Sequence, residues 1–194
     1  MEDTQVKEIR TAPSAYAYVR SGIWADKSWR VINAELGIDT NNAEPLELKN
    51  APGEFDRKIF MTFDLSEFQS IDFKRVFFFP SFIKVDESMP IHFALYEVDA
   101  DAWNTDTLTY NTMPEIGRAI SENNLAGGIT KVELTDVIRE ALAAGKTCLS
   151  FAIIVTTEGE EFCNRINPKI ARLAASTAEK DENFVKALFK FCSG

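Results

Sequence analysis

A chain of 194 residues, 45% hydrophobic and 26% charged, fits one domain able to bury its own core without a metal or disulfide. Its net charge of −9, with acid spread through both halves, provides no basic face, so DNA and RNA are not expected partners. No run approaches the ~20 apolar residues of a membrane-crossing helix, so membrane insertion is not expected either.

The chain reads as short strands separated by turns. Its first dozen residues, MEDTQVKEIRTA, are polar and mixed in charge, unlike a signal peptide, and residues 1–14 are expected to be an N-terminal tail. Residues 15–20 (AYAYVR) alternate as a strand, and the polar, irregular stretch 21–44 predicts a long loop or short edge strands. Leu46 and Leu48 alternate with charged residues before the turn residues Asn50 to Gly53. Residues 58–65 (KIFMTFDL) form a clear strand, with Ile59, Met61, Phe63 and Leu65 toward a core. Within residues 73–85, Phe73, Phe77, Phe79 and Ile83 are the predicted core set, and Pro80 predicts a bulge, an edge or a break.

Residues 91–98 (IHFALYEV) form the next strand, with the only histidine, His92, on the solvent side. A turn-rich segment runs to Gly117, followed by a short strand at 130–134. The period then becomes helical. Thr135 is the expected N-cap, Val137, Ile138, Ala141 and Leu142 share a face, and Gly145 is the stop. Residues 148–157 (CLSFAIIVTT) are a strong strand, and 161–164 and 170–174 two short ones. Phe184, Leu188 and Phe191 share a helical face, so residues 176–194 are expected to be a C-terminal helical extension. Cys148, Cys163 and Cys192 have neither disulfide nor zinc spacing, and free buried thiols or one pair both fit them. The pattern predicts an all-β fold, a jelly-roll β-sandwich over residues 15–175 with one short internal helix.

Four segments occur in the order found in one family. They are residues 17–29 (AYVRSGIWADKSW), 56–66 (DRKIFMTFDLS), 95–114 (LYEVDADAWNTDTLTYNTMP) and 132–137 (VELTDV), with a weaker fifth at Phe162 to Arg165, Pro168 and Leu173. The third is the most specific and aligns without a gap. Together they resemble the DNRLRE-type domain, also classed as carbohydrate-binding module family 96 and related to disaggregatase-type repeats. Tyr16 and Ser21 stand where that family often carries Asp, and Arg30 where it often carries Gly. The resemblance implies a jelly-roll sandwich that binds polysaccharide without cleaving it. It also implies an extracellular or cell-surface location, as one part of a larger multidomain protein trimmed of its leader.

Sugar binding needs flat aromatic faces and polar groups for hydroxyls. Trp24 and Trp29 lie in the polar loop, with Lys27 and Arg30 able to pair with uronate carboxylates. With Tyr18 they form the candidate ligand site, against the alternative that both tryptophans anchor the loop to the core. Trp103 and Tyr110 read as rings packed under turns. Asp99, Asp101, Asn104 and Asp106 place oxygens at alternate positions, as calcium favours, although the glycine and terminal Glu of an EF-hand are missing. Asp99, Asp101 and Asp106 are therefore candidate ligands of a structural calcium, with a solvated acidic turn as the alternative. No nucleophile elbow, zinc-protease motif or phosphate loop occurs, and no carboxylate pair stands out, so no catalytic residue is assigned. Two competing functions remain: a structural or protein-interaction module, and a polysaccharide lyase or hydrolase.

Overall fold

A computed structural model describes residues 8–38, 45–51, 53–84, 91–126, 130–157 and 164–177. The expected strand at 161–164 is therefore described only from Asn164, and the expected C-terminal helix, Cys163 and Cys192 lie outside the described residues. The strands are β1 (Glu8–Thr11), β2 (Pro13–Arg20), β3 (Leu46–Leu48), β4 (Arg57–Asp64), β5 (Arg75–Phe79), β6 (Phe82–Lys84), β7 (Ile91–Glu97), β8 (Ala119–Ala126), β9 (Val132–Glu133), β10 (Cys148–Val155), β11 (Asn164–Ile166) and β12 (Arg172–Ser176). Among the described residues two α-helices accompany them, α1 (Trp29–Glu35) and α2 (Thr135–Ala143).

All pairings are antiparallel. They form a four-stranded sheet, β1-β12-β5-β9, a five-stranded sheet, β2-β4-β10-β7-β8, and a small third sheet, β3-β11-β6. The chain crosses repeatedly between the two larger sheets: β4 lies in one and β5 in the other, β9 in one and β10 in the other. The fold is a β-sandwich, as the turn-separated strand pattern predicts.

The aromatic centre holds the two larger sheets together. Phe63 of β4 and Phe151 of β10 stack with centroids 5.6 Å apart, and Phe78 of β5 meets them edge-on at 5.8 and 5.0 Å. Here the expectation for residues 73–85 is corrected. Phe78, not Phe77 or Phe79, enters the main core, while Phe77, Phe79 and Ala174 form a separate cluster on the other side of the sheet. Ile83 is 48% exposed. In a run of three phenylalanines both alternations are equally apolar, so composition leaves the facing undecided. Pro80 does break the strand, and Ser81 after it takes a φ of 56°.

Other expectations change as well. Residues 8–14, read as part of a tail, contain β1 and the start of β2, and β1 pairs with β12 from Glu8↔Ser176 to Thr11↔Leu173. The expected loop 21–44 contains α1, whose signals were Ser28 at the N-cap position and Trp29 and Ile32 at helical spacing. Thr135 is the first residue of α2 rather than its cap, because its hydroxyl accepts from the Val76 N–H and donates to Glu133. β8 has no apolar alternation in the sequence. It is a mostly polar edge strand, irregular in register, with Asn123 at a φ of 55°. β4 is buried on both faces, not one, since Phe60 on its outer face lies under Trp103, 5.9 Å between centroids.

Two charged clusters fasten the edges. Glu47 of β3 is buried and lies 3.2 Å from both Arg57 of β4 and Arg165 of β11, joining the small sheet to the large one. Glu97, at the end of β7, accepts from Lys146 at 2.6 Å and Arg118 at 3.0 Å, and Arg118 continues to Glu140 of α2 at 2.7 Å.

Phe78→Ala should destabilise the fold by about 3–5 kcal/mol, as loss of a buried aromatic does, whereas Ile83→Ala should stay within about 0.5 kcal/mol, both read by urea unfolding. The hydrogen bonds from Lys146, then Arg118, hold the Glu97 carboxyl below its ordinary 4.5. Its contribution is thus complete above that value and is lost as pH falls through the lowered folded value. Glu97→Gln should flatten the acid limb of a stability–pH profile below about pH 4.5 while leaving its slope near neutrality unchanged.

Candidate functional site

The candidate sugar-binding residues converge on one end of the β2 edge but divide between core and surface. Ser21, at the end of β2, donates its hydroxyl to the Gly53 carbonyl at 2.7 Å and accepts from the Asp56 N–H at 2.9 Å. The two turns are thereby pressed together. Gly22 has a φ of +72°, and a Cβ there would meet Glu54 atoms at 2.7–2.9 Å, so glycine is required. The rim that results carries Ile23, 80% exposed, half-buried Trp24, and Phe55, 43% exposed. Cations surround these apolar groups. The Arg20 guanidinium lies 5.3 Å and the Lys27 ammonium 4.9 Å from the Trp24 ring centroid, and Lys49 lies 5.4 Å from that of Phe55.

Trp29 and Tyr18 are corrected by the structure: both are fully buried, and neither offers a ring face to a ligand. Trp29 opens α1 and packs against Tyr16 and Tyr18 at 5.9 and 6.5 Å. Its indole N–H donates to the Thr105 carbonyl at 2.9 Å, and the Tyr18 hydroxyl donates to Asn33 Oδ1 of α1 at 2.6 Å. These bonds satisfy the polar tips of two large apolar side chains, which is what allows them inside. Arg30 is placed as a cover, its guanidinium 4.5 Å from the Trp29 ring centroid and its Nε 3.0 Å from Asp106 Oδ1. Lys27 is shared between Trp24 and the Glu35 carboxylate.

The candidate calcium ligands do not assemble. Asp99 accepts from the Asp101 N–H at 3.1 Å, as the cap of a single helical turn at Ala100–Ala102, while Asp106 is engaged by Arg30. Among the described residues, no three His, Cys, Asp or Glu side chains gather as a metal-ion ligand set. The same turn-rich segment supplies a further cluster, around Tyr110. The Tyr110 hydroxyl donates to Asp56 Oδ2 at 2.9 Å, and Lys58 binds the same carboxylate with its ammonium 4.8 Å from the Tyr110 ring centroid. Burial, and then the hydrogen bond to the Asp56 carboxylate, raise the Tyr110 hydroxyl above its ordinary pKa, so it stays protonated as a donor. Asn111 completes the join, donating its side chain to Asp26 at 2.6 Å and its backbone N–H to the Ala25 carbonyl at 3.1 Å.

An apolar rim bordered by ammonium and guanidinium groups can lie against the C–H face of a sugar ring and pair with its hydroxyls or carboxylates. His92, the one imidazole, is exposed on β7, on the side away from the core. No helix among the described residues is long and apolar enough to cross a membrane.

The two tryptophans should respond oppositely. Trp29→Ala should cost about 3–5 kcal/mol in urea unfolding, while Trp24→Ala should cost about 1 kcal/mol or less, because only the first removes a fully buried indole and its hydrogen bond.

Comparison with known proteins adds one match. The model of carbohydrate-binding module family 96 matches residues 7–169, from just before β1 to just beyond β11. No curated protein matches the chain.

Proposed function

The chain belongs to carbohydrate-binding module family 96, and from that premise we propose that it binds polysaccharide without cleaving it, through the rim of Ile23, Trp24 and Phe55. The observation that carries the placement is the half-buried Trp24 ring with two cations beside it, next to apolar groups left in solvent. Lys27 pairs with a uronate carboxylate in this reading, exchanging its contact with exposed Glu35 for one to the ligand. Trp29, Tyr18 and Arg30 hold the loop that presents Trp24 rather than touching the sugar. Family membership also supports an extracellular or cell-surface setting, with this chain as one module of a larger protein.

The test is retention on affinity gels of neutral and uronate-rich polysaccharides, with and without calcium. The native protein should be retarded by at least one polymer. Trp24→Ala should weaken that binding about tenfold, the equivalent of roughly 1.4 kcal/mol, and Lys27→Ala should weaken uronate polymers selectively. No new reducing ends or unsaturated products should form. Retention by no polymer would sink the reading in favour of a protein-interaction module, and product formation would replace it with a lyase or hydrolase.

A further inference from the structure

A trough lies on the outer face of the five-stranded sheet, apart from the Trp24 rim. It consists of a 690 Å³ cavity and a 570 Å³ cavity that share Ala100, Asp101, Thr147 and Cys148 as a common wall. Each is of the size that holds a small ligand. Hydrogen bonds tie its floor together. The Thr62 hydroxyl of β4 donates to Ser150 Oγ of β10 at 3.0 Å, and the Trp103 indole N–H donates to the same oxygen at 3.0 Å. Trp103 is fixed by that bond and by Phe60 beneath it, yet remains partly exposed along the trough wall.

We propose that this trough is a second carbohydrate site, taking a neutral hexose unit of a polysaccharide chain. The inference rests on the polysaccharide-binding reading and adds a site and a ligand class to it. The indole offers an apolar surface for the C–H face of a pyranose, held by a hydrogen bond that uses its only donor elsewhere. Asp64 and Asp101 flank it as hydroxyl acceptors. The backbone N–H of Ser66, donating at 2.7 Å, lowers the Asp64 pKa and keeps the carboxylate ionised. Glu97, Asp99 and Glu115 line the adjoining cavity, and its one cation, Lys146, is held by Glu97 at 2.6 Å. A uronate would therefore meet like charge here, whereas the rim around Trp24 presents cations. The two surfaces sort sugars by charge.

Cys148 reports on occupancy, since its half-buried thiol lines both cavities. The experiment measures the rate of Cys148 alkylation by iodoacetamide, resolved from Cys163 and Cys192 by peptide mass spectrometry. It is run with cellohexaose, mannohexaose or hexagalacturonate present. At least one neutral hexasaccharide should slow Cys148 several-fold and hexagalacturonate should not. Asp101→Ala, at an exposed position, and Asp64→Asn should each abolish protection, and Trp24→Ala should preserve it. Protection by hexagalacturonate alone, by no probe, or lost in Trp24→Ala would overturn the second site. Retention on polysaccharide gels with Cys148 unprotected would overturn this site alone, whereas absence of retention and of protection together would overturn the rim as well.

Discussion

The segment from Asp99 to Met113 contains no strand, yet most of the surface chemistry depends on where it lies. Its path is set by aromatic side chains whose single polar atoms are anchored by hydrogen bonds, the Tyr110 hydroxyl accepting from Lys58 as well. Trp103 Nε1 reaches Ser150, Trp29 Nε1 reaches the Thr105 carbonyl, and the Tyr110 hydroxyl reaches Asp56. A large ring is buried favourably only when its N–H or O–H finds an acceptor, so each pin couples apolar burial to one geometry. The segment consequently covers the outer face of β4 and leaves the trough beside it and the Trp24 rim beyond its edge.

This arrangement explains why residues that look like ligand contacts in the chain are not equivalent in space. Trp24 and Trp29 are five residues apart in the same polar stretch, yet a helix begins at Trp29. That helix turns Trp29 into the core against Tyr16 and Tyr18, with Arg30 closing over it, and Trp24 stays at the rim beside Arg20 and Lys27. Ser21 is a neutral clasp between two turns, accepting from one backbone N–H and donating to one carbonyl. A carboxylate could accept at that position but not donate, so a serine suits the close approach of the turn at Gly22.

Charge is distributed with similar economy. The protein is acidic overall, but many cations among its described residues are placed on rings or in ion pairs: Arg20 and Lys27 at Trp24, Lys58 at Tyr110, Arg57 and Arg165 at buried Glu47. The rim and the trough thus differ in electrostatic character although they belong to one small domain. Under the two proposed sites, selectivity between neutral and anionic chains would follow from that separation with no change of fold.

Strand content, the break at Pro80, the solvent side of His92 and the sandwich architecture were legible in the sequence, because alternation and turn residues are local signals with local causes. The family segments were equally legible, and the family match spans most of the chain. The facing of Phe77, Phe78 and Phe79 was not, since an unbroken apolar run contains no alternation to read. β8 was missed because a polar edge strand is defined by its partner, β7, and not by its own composition. The depth of Trp29 and Tyr18, and the engagement of Asp99 by the Asp101 N–H and of Asp106 by Arg30, arose only when β2, α1 and the segment from Asp99 came together. The sequence by itself determined that this chain is a β-sandwich carrying aromatic and charged groups in its loops. Only the tertiary structure decided which of those groups face solvent, because burial is a property of contacts between segments far apart in the chain.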